Sequence, residues 1–329
     1  LMISEVDMLA GHSRLEHFPI TLFTSVMGLG GYTLATKAAG MPALTLLMTV
    51  VSTLVLLLVG MTYLLKFMRY PNAVKHEFNH PVRHAFFPAI SIGLLIMAEV
   101  YFSFSPILSK VMWAVGASMQ FLFTIHILTA WMFHENLNVS MITPAWFIPV
   151  VGNVIVPISG IHHASVELLW FFLSYGLFFW VVLQTIIMYR MIFHAPIPTK
   201  LLPTLFIMIS PPALSFVAYL QLTHGVVTGV DHFGLFLYYV AIFITAMLLY
   251  RVKKFTMLQF SLPWWAYSFP LAAITIASFM MAQAMHSSPM HGVFLVLAWA
   301  LFALVSCVIA LLVYKTIRAM LAGKVCVPD

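Results

Sequence analysis

Ten stretches of mostly apolar residues run along the chain, at 18–38, 43–65, 84–105, 107–132, 144–160, 166–189, 201–222, 232–250, 264–285 and 292–314, separated by short polar connections. A helix needs roughly 20 mostly apolar residues to cross the hydrocarbon core of a bilayer, so each stretch has about the length of one crossing. The pattern predicts an all-α integral membrane protein of ten transmembrane helices. An N-terminal arm over 1–17, a ten-helix domain over 18–320 and a tail over 321–329 follow from the same boundaries. If the chain starts inside, thirteen of its 15 Lys and Arg residues fall on the inner side, and only Lys37 and Lys110 on the outer. Basic residues are retained on the cytoplasmic side of membrane helices, so both termini are expected there.

Prolines divide the spans into two kinds. Every odd span has proline within it or just inside its start: Pro19; Pro88; Pro144, Pro149 and Pro157; Pro203, Pro211 and Pro212; Pro263 and Pro270. The even spans have none in their interiors and carry bulky runs such as Leu54-Val55-Leu56-Leu57-Leu58. Proline lacks the backbone donor of an ordinary residue and clashes one turn back, so the odd helices are expected to be kinked. Broken helices survive in a bilayer only against protein or a water-filled path. The odd spans therefore belong in an inner ring around a central pore, each leading an outer helix in one of five helical hairpins. Around the prolines lie Phe18 and Phe87, with small or polar residues following: Gly28, Ser91, Gly152, Asn153, Ser215 and Thr275. These are candidate pore-lining and kink positions. Proline and small residues also serve ordinary helix packing in membranes, but packing alone would not alternate them so strictly.

Composition closes off other classes. The chain is 63% hydrophobic and 7% charged, against about half and about a quarter in a soluble domain. The net charge of +6 is scattered between apolar runs instead of forming a stripe, which argues against nucleic acid. Cys307 and Cys326 make no disulfide framework or metal motif. No cofactor, resident metal or enzymatic chemistry is expected. Fourteen histidines are many for such a chain, and His162, His163 and His232 fall at the outer face. They suit an interface, with an outer proton- or metal-sensing site as the alternative. Glu99 is an ionisable residue inside a span, where such groups often have a function. Lys110 is its expected partner, and a proton-linked or gating role is the alternative. Asn138-Val139-Ser140 matches a glycosylation signal but falls on an inner loop.

The motifs resemble those of the tellurite-resistance/dicarboxylate transporter family, which includes bacterial TehA-type proteins and the plant slow anion channels. The matching residues are Phe18-Pro19-Ile20 through Gly28-Leu29-Gly30, Pro144-Ala145-Trp146-Phe147-Ile148-Pro149-Val150-Val151-Gly152-Asn153, Pro203-Thr204-Leu205 with Pro211-Pro212, and Trp264-Trp265-Ala266-Tyr267-Ser268-Phe269-Pro270. The resemblance implies a homotrimer of ten-helix protomers in a membrane, here a bacterial inner membrane, each protomer with its own pore through the five odd helices. It also implies a phenylalanine from the ninth span as the pore gate, and Phe269 is the match.

No Lys or Arg occurs between Lys110 and Arg190, from 201 to 250, or from 255 to 314. A carrier that grips a dicarboxylate would be expected to bury such a residue near the midplane. Weak guidance is expected instead, from backbone and hydroxyl dipoles at the kinks and from basic residues at the inner mouth. The expected partners are small inorganic anions, with large, weakly hydrated monovalent ions such as nitrate favoured over chloride. Two other readings stand beside this one: a proton-coupled carrier or exporter of sulfite, tellurite or C4-dicarboxylates, and a membrane metal or haem protein using the histidines.

Overall fold

The computed structural model describes residues 14–80, 82–133, 137–323 and 325–326. Residues 1–13 of the expected N-terminal arm, and Lys324 with 327–329 of the expected tail, lie outside the described residues. Among the described residues no strand forms, and ten longer α-helices coincide with the ten apolar stretches. They are α1 (Phe23–Ala38), α2 (Pro42–Arg69), α3 (Ala89–Tyr101), α4 (Pro106–Met132), α5 (Ile148–Gly160), α6 (Val166–Phe193), α7 (Ser210–Leu222), α8 (His232–Tyr250), α9 (Ser268–Ala284) and α10 (His291–Leu321).

Eight of these, counted with any helical turn leading into them, are long and apolar enough to cross a membrane. The expected count of ten crossings is therefore not reached on length and hydropathy alone. The two that fall short are inner elements. α1 carries Gly28, Gly30, Gly31 and several threonines, and Pro144–Gly160 is a shorter apolar helix. Every residue of α5 is buried within the protein, so its composition has no lipid to match.

The odd and even helices are built differently. Each odd helix is entered through a tight 3-10 segment, at Ile20–Leu22, His84–Phe86, Pro144–Phe147, Thr199–Ile209 and Leu262–Tyr267. The α-helical parts that follow are 13 to 17 residues long, whereas the even helices run from 19 to 31. The spans containing α3, α7 and α9 are 72%, 83% and 89% buried, against 17% to 39% for the five even ones. Proline alternation thus marks the inner layer.

The prolines act at helix entrances more than by kinking interiors, which corrects the expectation from sequence. Pro149, Pro211 and Pro212 stand at the first positions of α5 and α7, Pro88 caps α3, and Pro19 caps the first 3-10 segment. At those positions the missing N–H has no intrahelical partner to lose, and the fixed φ suits the start of a helix. Among the described residues only Pro157 lies inside an α-helix, with Pro203 inside a 3-10 segment.

Contacts close the inner helices into a ring: α1 packs on α3, α3 on α5, α5 on α7, α7 on α9, and α9 back on α1. Each inner helix also packs on the outer helix that follows it, which gives the five hairpins.

The entrance to the first hairpin is held by a pair that the residue pattern did not single out. Glu77, on the short helix Pro71–Asn79, lies 2.8 Å from the Lys66 ammonium, and both are buried. Tyr63 donates to the same carboxylate oxygen as Lys66, the other oxygen accepts the Ile20 N–H at 2.9 Å, and Lys66 also donates to the Phe18 carbonyl at 2.8 Å. One ion pair therefore satisfies both a donor and an acceptor of the backbone entering α1. Removing one partner strands the other charge in a buried site, so Lys66→Met is expected to cost about 3–5 kcal/mol. Thermal unfolding in detergent measures it, and a melting temperature within error of the parent protein would refute this role.

Candidate functional site: a cavity inside the five-helix ring

The ring encloses a cavity of about 180 Å³ with walls from all five inner helices. Leu34, Leu95, Ile96, Ile155, Ile158, Leu214, Val217, Ile276 and Met280 make most of its surface aliphatic. Phe269, the second residue of α9, lies at the end where the inner helices begin. Lys37, Glu99, Ser159 and Gln221, from the last turns of α1, α3, α5 and α7, lie at the other end. The Phe269 ring rests on α1 at Gly31: a Cβ added there would come within 2.8 Å of a ring carbon. Absence of a side chain at 31 is what lets the ring lie across to the neighbouring helix.

Outside the ring's entrance is a wider vestibule of about 810 Å³. The 3-10 segments and their flanks reach it through Pro19, Thr21, Arg83, Lys200 and Pro263, and Glu16, Lys66, His76 and Glu77 are among the other residues of its wall. Lys66, Arg83 and Lys200 stand at this mouth together with the carboxylates of Glu16 and Glu77, the latter paired with Lys66.

Hydroxyls at the helix entrances face the backbone. Thr24 donates to the Thr21 carbonyl, Ser25 to Leu22, Ser91 to Pro88, Thr204 to Leu201 and Ser268 to Trp265, at 2.6 to 2.8 Å. Thr275 donates to Leu271 within its own helix at 2.7 Å. Such bonds give the hydroxyls a local partner, in some cases on a carbonyl that also accepts a backbone N–H, as the Pro88 carbonyl does from Ile92. Their hydrogens are then committed and do not serve as donors to an ion. Ser215 is buried, with no hydrogen-bond partner for its hydroxyl among the described residues.

Of the candidate positions, Phe269 and Glu99 are on the cavity wall. Ser91, Pro149, Gly152 and Asn153 instead form a polar seam toward the outer layer. Ser91 Oγ lies 2.7 Å from Gln120 Oε1, which shares the one hydrogen of that hydroxyl with the Pro88 carbonyl, and Gln120 Nε2 and Thr124 donate to the Pro149 carbonyl at 2.9 and 2.7 Å. Asn153 donates to Thr124 at 2.8 Å and accepts from Tyr175 at 2.7 Å. Gly152 lets the Gln120 amide approach, since a Cβ there would meet it at 2.4 Å. An inner helix must be locked to its outer partner as well as face the cavity, and these small and polar residues do the locking. Gly28 faces Ser268 and Trp265 between neighbouring inner elements. Phe87 packs against Tyr63 and Phe78, Pro211, Pro212 and Pro270 are buried at the starts of α7 and α9, and Phe18 offers its carbonyl to Lys66.

Glu99 pairs with Lys37 at 3.2 Å, and not with Lys110 as its place in the sequence suggested. Lys37 ends the neighbouring inner helix on the same side of the ring, while Lys110 begins an outer helix. Lys110 is the nearer lysine in the sequence, and which inner helices are neighbours in the ring cannot be read from that distance. His162 stacks on Phe102 with ring centres 4.1 Å apart, and His163 Nε2 lies 2.8 Å from the Ser109 hydroxyl. Burial, then the neighbouring His162 and Lys110, hold His163 below the ordinary imidazole range, so it stays neutral at neutral pH. His232 is on another element, the first turn of α8, whose N-cap is Asp231. Among the described residues no group of three or more His, Cys, Asp or Glu is placed to hold a metal.

A ring of five buried helices around a narrow apolar cavity, inside a belt of lipid-compatible helices, defines an integral membrane protein of the channel and transporter type. The model of the voltage-dependent anion channel family matches residues 17–317, and the chain belongs to that family. It is 28% identical to the uncharacterized transporter MJ0762 of Methanocaldococcus jannaschii over 81% of this chain and 85% of that protein. It is 29% identical to the S-type anion channel SLAH2 of Arabidopsis thaliana over 80% of this chain, which spans about half (52%) of the plant protein. It is also 23% identical to the tellurite resistance protein TehA homolog of Haemophilus influenzae, over 84% of this chain and 81% of that one. The resemblance read from the proline-centred motifs is thereby established.

The polar seam and the cavity are separable. Asn153→Ala leaves Tyr175 and Thr124 short of a partner, and a lost buried partner costs about 1–3 kcal/mol. A lower melting temperature with unchanged anion selectivity is expected. Altered selectivity at unchanged stability would place Asn153 on the ion path instead.

Proposed function

We propose that the protein is an anion channel that passes small monovalent anions through the five-helix cavity, with Phe269 as its gate. The observation that carries this reading is the cavity itself. It draws a wall from every inner helix, has the Phe269 ring on its wall at the end where those helices begin, and carries charge only from Lys37 and Glu99 at the other end among the described residues. An aliphatic wall repays little of an ion's hydration, so the ions dehydrated at least cost pass best. That favours nitrate over chloride. Basic residues at the wider mouth raise the local anion concentration and disfavour cations. An aliphatic wall also speaks against tight capture of a dicarboxylate, which calls for forked hydrogen bonds from a buried base.

Membership in a family of channels and transporters supports this reading without fixing the ion. A homotrimer in a bacterial inner membrane, with both termini in the cytoplasm, belongs to the same proposal and is supported by the bias of basic residues toward the vestibule side.

Phe269→Ala removes the ring that rests on Gly31 and is expected to raise anion conductance at least several-fold in planar bilayers. Reversal potentials should follow the anion gradient, in the order nitrate over chloride. An unchanged current would remove Phe269 as the gate. Reversal potentials that follow the cation gradient, or flux that strictly requires a proton gradient, would reject the channel reading.

A further inference from the structure

Lys37 is the ammonium on the wall of the central cavity, and it also borders a second crevice of about 430 Å³ beside it. That crevice is walled by α1, the start of α2 and the end of α3, including Thr45 and Ser103. Its side chain is about two-fifths exposed, so the positive charge stands where the cavity meets the outer surface. Lys37 is also in the last turn of α1, where the helix dipole favours a cation.

Glu99 reaches the same point from the next helix of the ring. One carboxylate oxygen takes one of the three ammonium donors at 3.2 Å. Glu99 is the more enclosed partner, with about one-fifth of its side chain exposed. A carboxylate is a planar, singly charged oxyanion, chemically close to nitrate, and it is held beside the only ammonium that lines the cavity among the described residues. The nearby wall is aliphatic except for Ser159 and Gln221. An anion at this end therefore gains most from Lys37 and loses most to Glu99.

We infer that the Lys37 ammonium is the outer binding point for a small monoanion such as nitrate, and that the Glu99 carboxylate competes with the anion for it. Glu99 thereby sets the affinity of this end of the path and hastens release by retaking Lys37 as the ion leaves. Attraction strong enough to admit an anion but countered by a tethered competitor meets the requirement that a conducting site bind without trapping. This inference rests on the anion-channel reading for its role in conduction, while the binding point itself does not depend on it.

The experiment has two readouts. In the first, bilayer currents with nitrate varied on the Lys37 side give the apparent affinity for entry. In the second, the purified protein is melted in detergent with nitrate replacing sulfate at constant ionic strength, and stabilisation reports nitrate binding whether or not it conducts. Removing a unit charge several ångströms from the bound ion, at an effective dielectric between that of a protein surface and that of water, changes affinity by on the order of tenfold. Glu99→Gln is therefore expected to tighten nitrate binding about tenfold in both readouts, and Glu99→Asp to do so by less. Lys37→Gln should weaken it, and Glu99→Gln should have no further effect in the Lys37→Gln background. Glu99→Gln and Glu99→Asp both binding nitrate no better than the parent protein would overturn the inference. So would a Glu99→Gln effect that persists undiminished without Lys37. If the melting pattern appears in a protein that passes no anions, the binding point stands and the channel reading falls.

Discussion

Every inner helix begins at a residue buried within the protein, so its first backbone groups must find their partners there. This constraint organises the structure. A helix start leaves N–H groups without intrahelical partners, and in a bilayer each unpaired buried group is costly. The chain meets the problem at all five entrances with a 3-10 turn and with prolines where an N–H is not needed, and at four of them, those of α1, α3, α7 and α9, a serine or threonine hydroxyl also closes back on a carbonyl. At the first hairpin the hydroxyls are joined by a buried ion pair, with Glu77 accepting the Ile20 N–H and Lys66 capping the Phe18 carbonyl.

The consequences reach the cavity. Because the hydroxyl hydrogens are spent on the helix entrances, the wall between vestibule and outer mouth is left to leucine, isoleucine and valine. The polar residues between the layers are likewise committed: Gln120, Thr124, Asn153 and Tyr175 bind α3, α4, α5 and α6 to one another. On the proposed reading, what remains for an ion is a short apolar passage, with Lys66, Arg83, Lys200, Glu16 and Glu77 around the vestibule and the Lys37–Glu99 pair at the other end. A passage of this kind would discriminate by the cost of dehydration more than by grip.

Much of this was legible in the residues. Apolar runs located all ten helices, though the seventh becomes α-helical only at Ser210 and the tenth runs on to Leu321, and proline alternation sorted inner from outer, because both follow from local chemistry that repeats hairpin by hairpin. The trouble came where a position depends on which way a helix is turned. Ser91, Gly152 and Asn153 mark α3 and α5 as inner, but they face the outer helices, since small residues are needed wherever helices approach closely and not only along a pore. Glu99 was matched to the lysine nearest it in sequence, whereas the ring brings Lys37 from the neighbouring helix. Glu77 was missed altogether: it stands in a polar loop, and nothing local distinguishes a carboxylate that will be buried over a helix start from one left in water. Phe269 was found through the family motif, and what the structure adds is its place across from Gly31.

The central claim is that ions travel through the ring and not between the hairpins or along the outer helices. It is tested most directly by placing a single cysteine on the wall, at Leu214, in a protein whose Cys307 and Cys326 have been changed to serine. Currents are then followed while a small, negatively charged thiol reagent is added. Block that nitrate slows by competing for the same space is the result this account predicts. Current that persists after the cysteine at 214 is shown by mass spectrometry to be fully modified would contradict it.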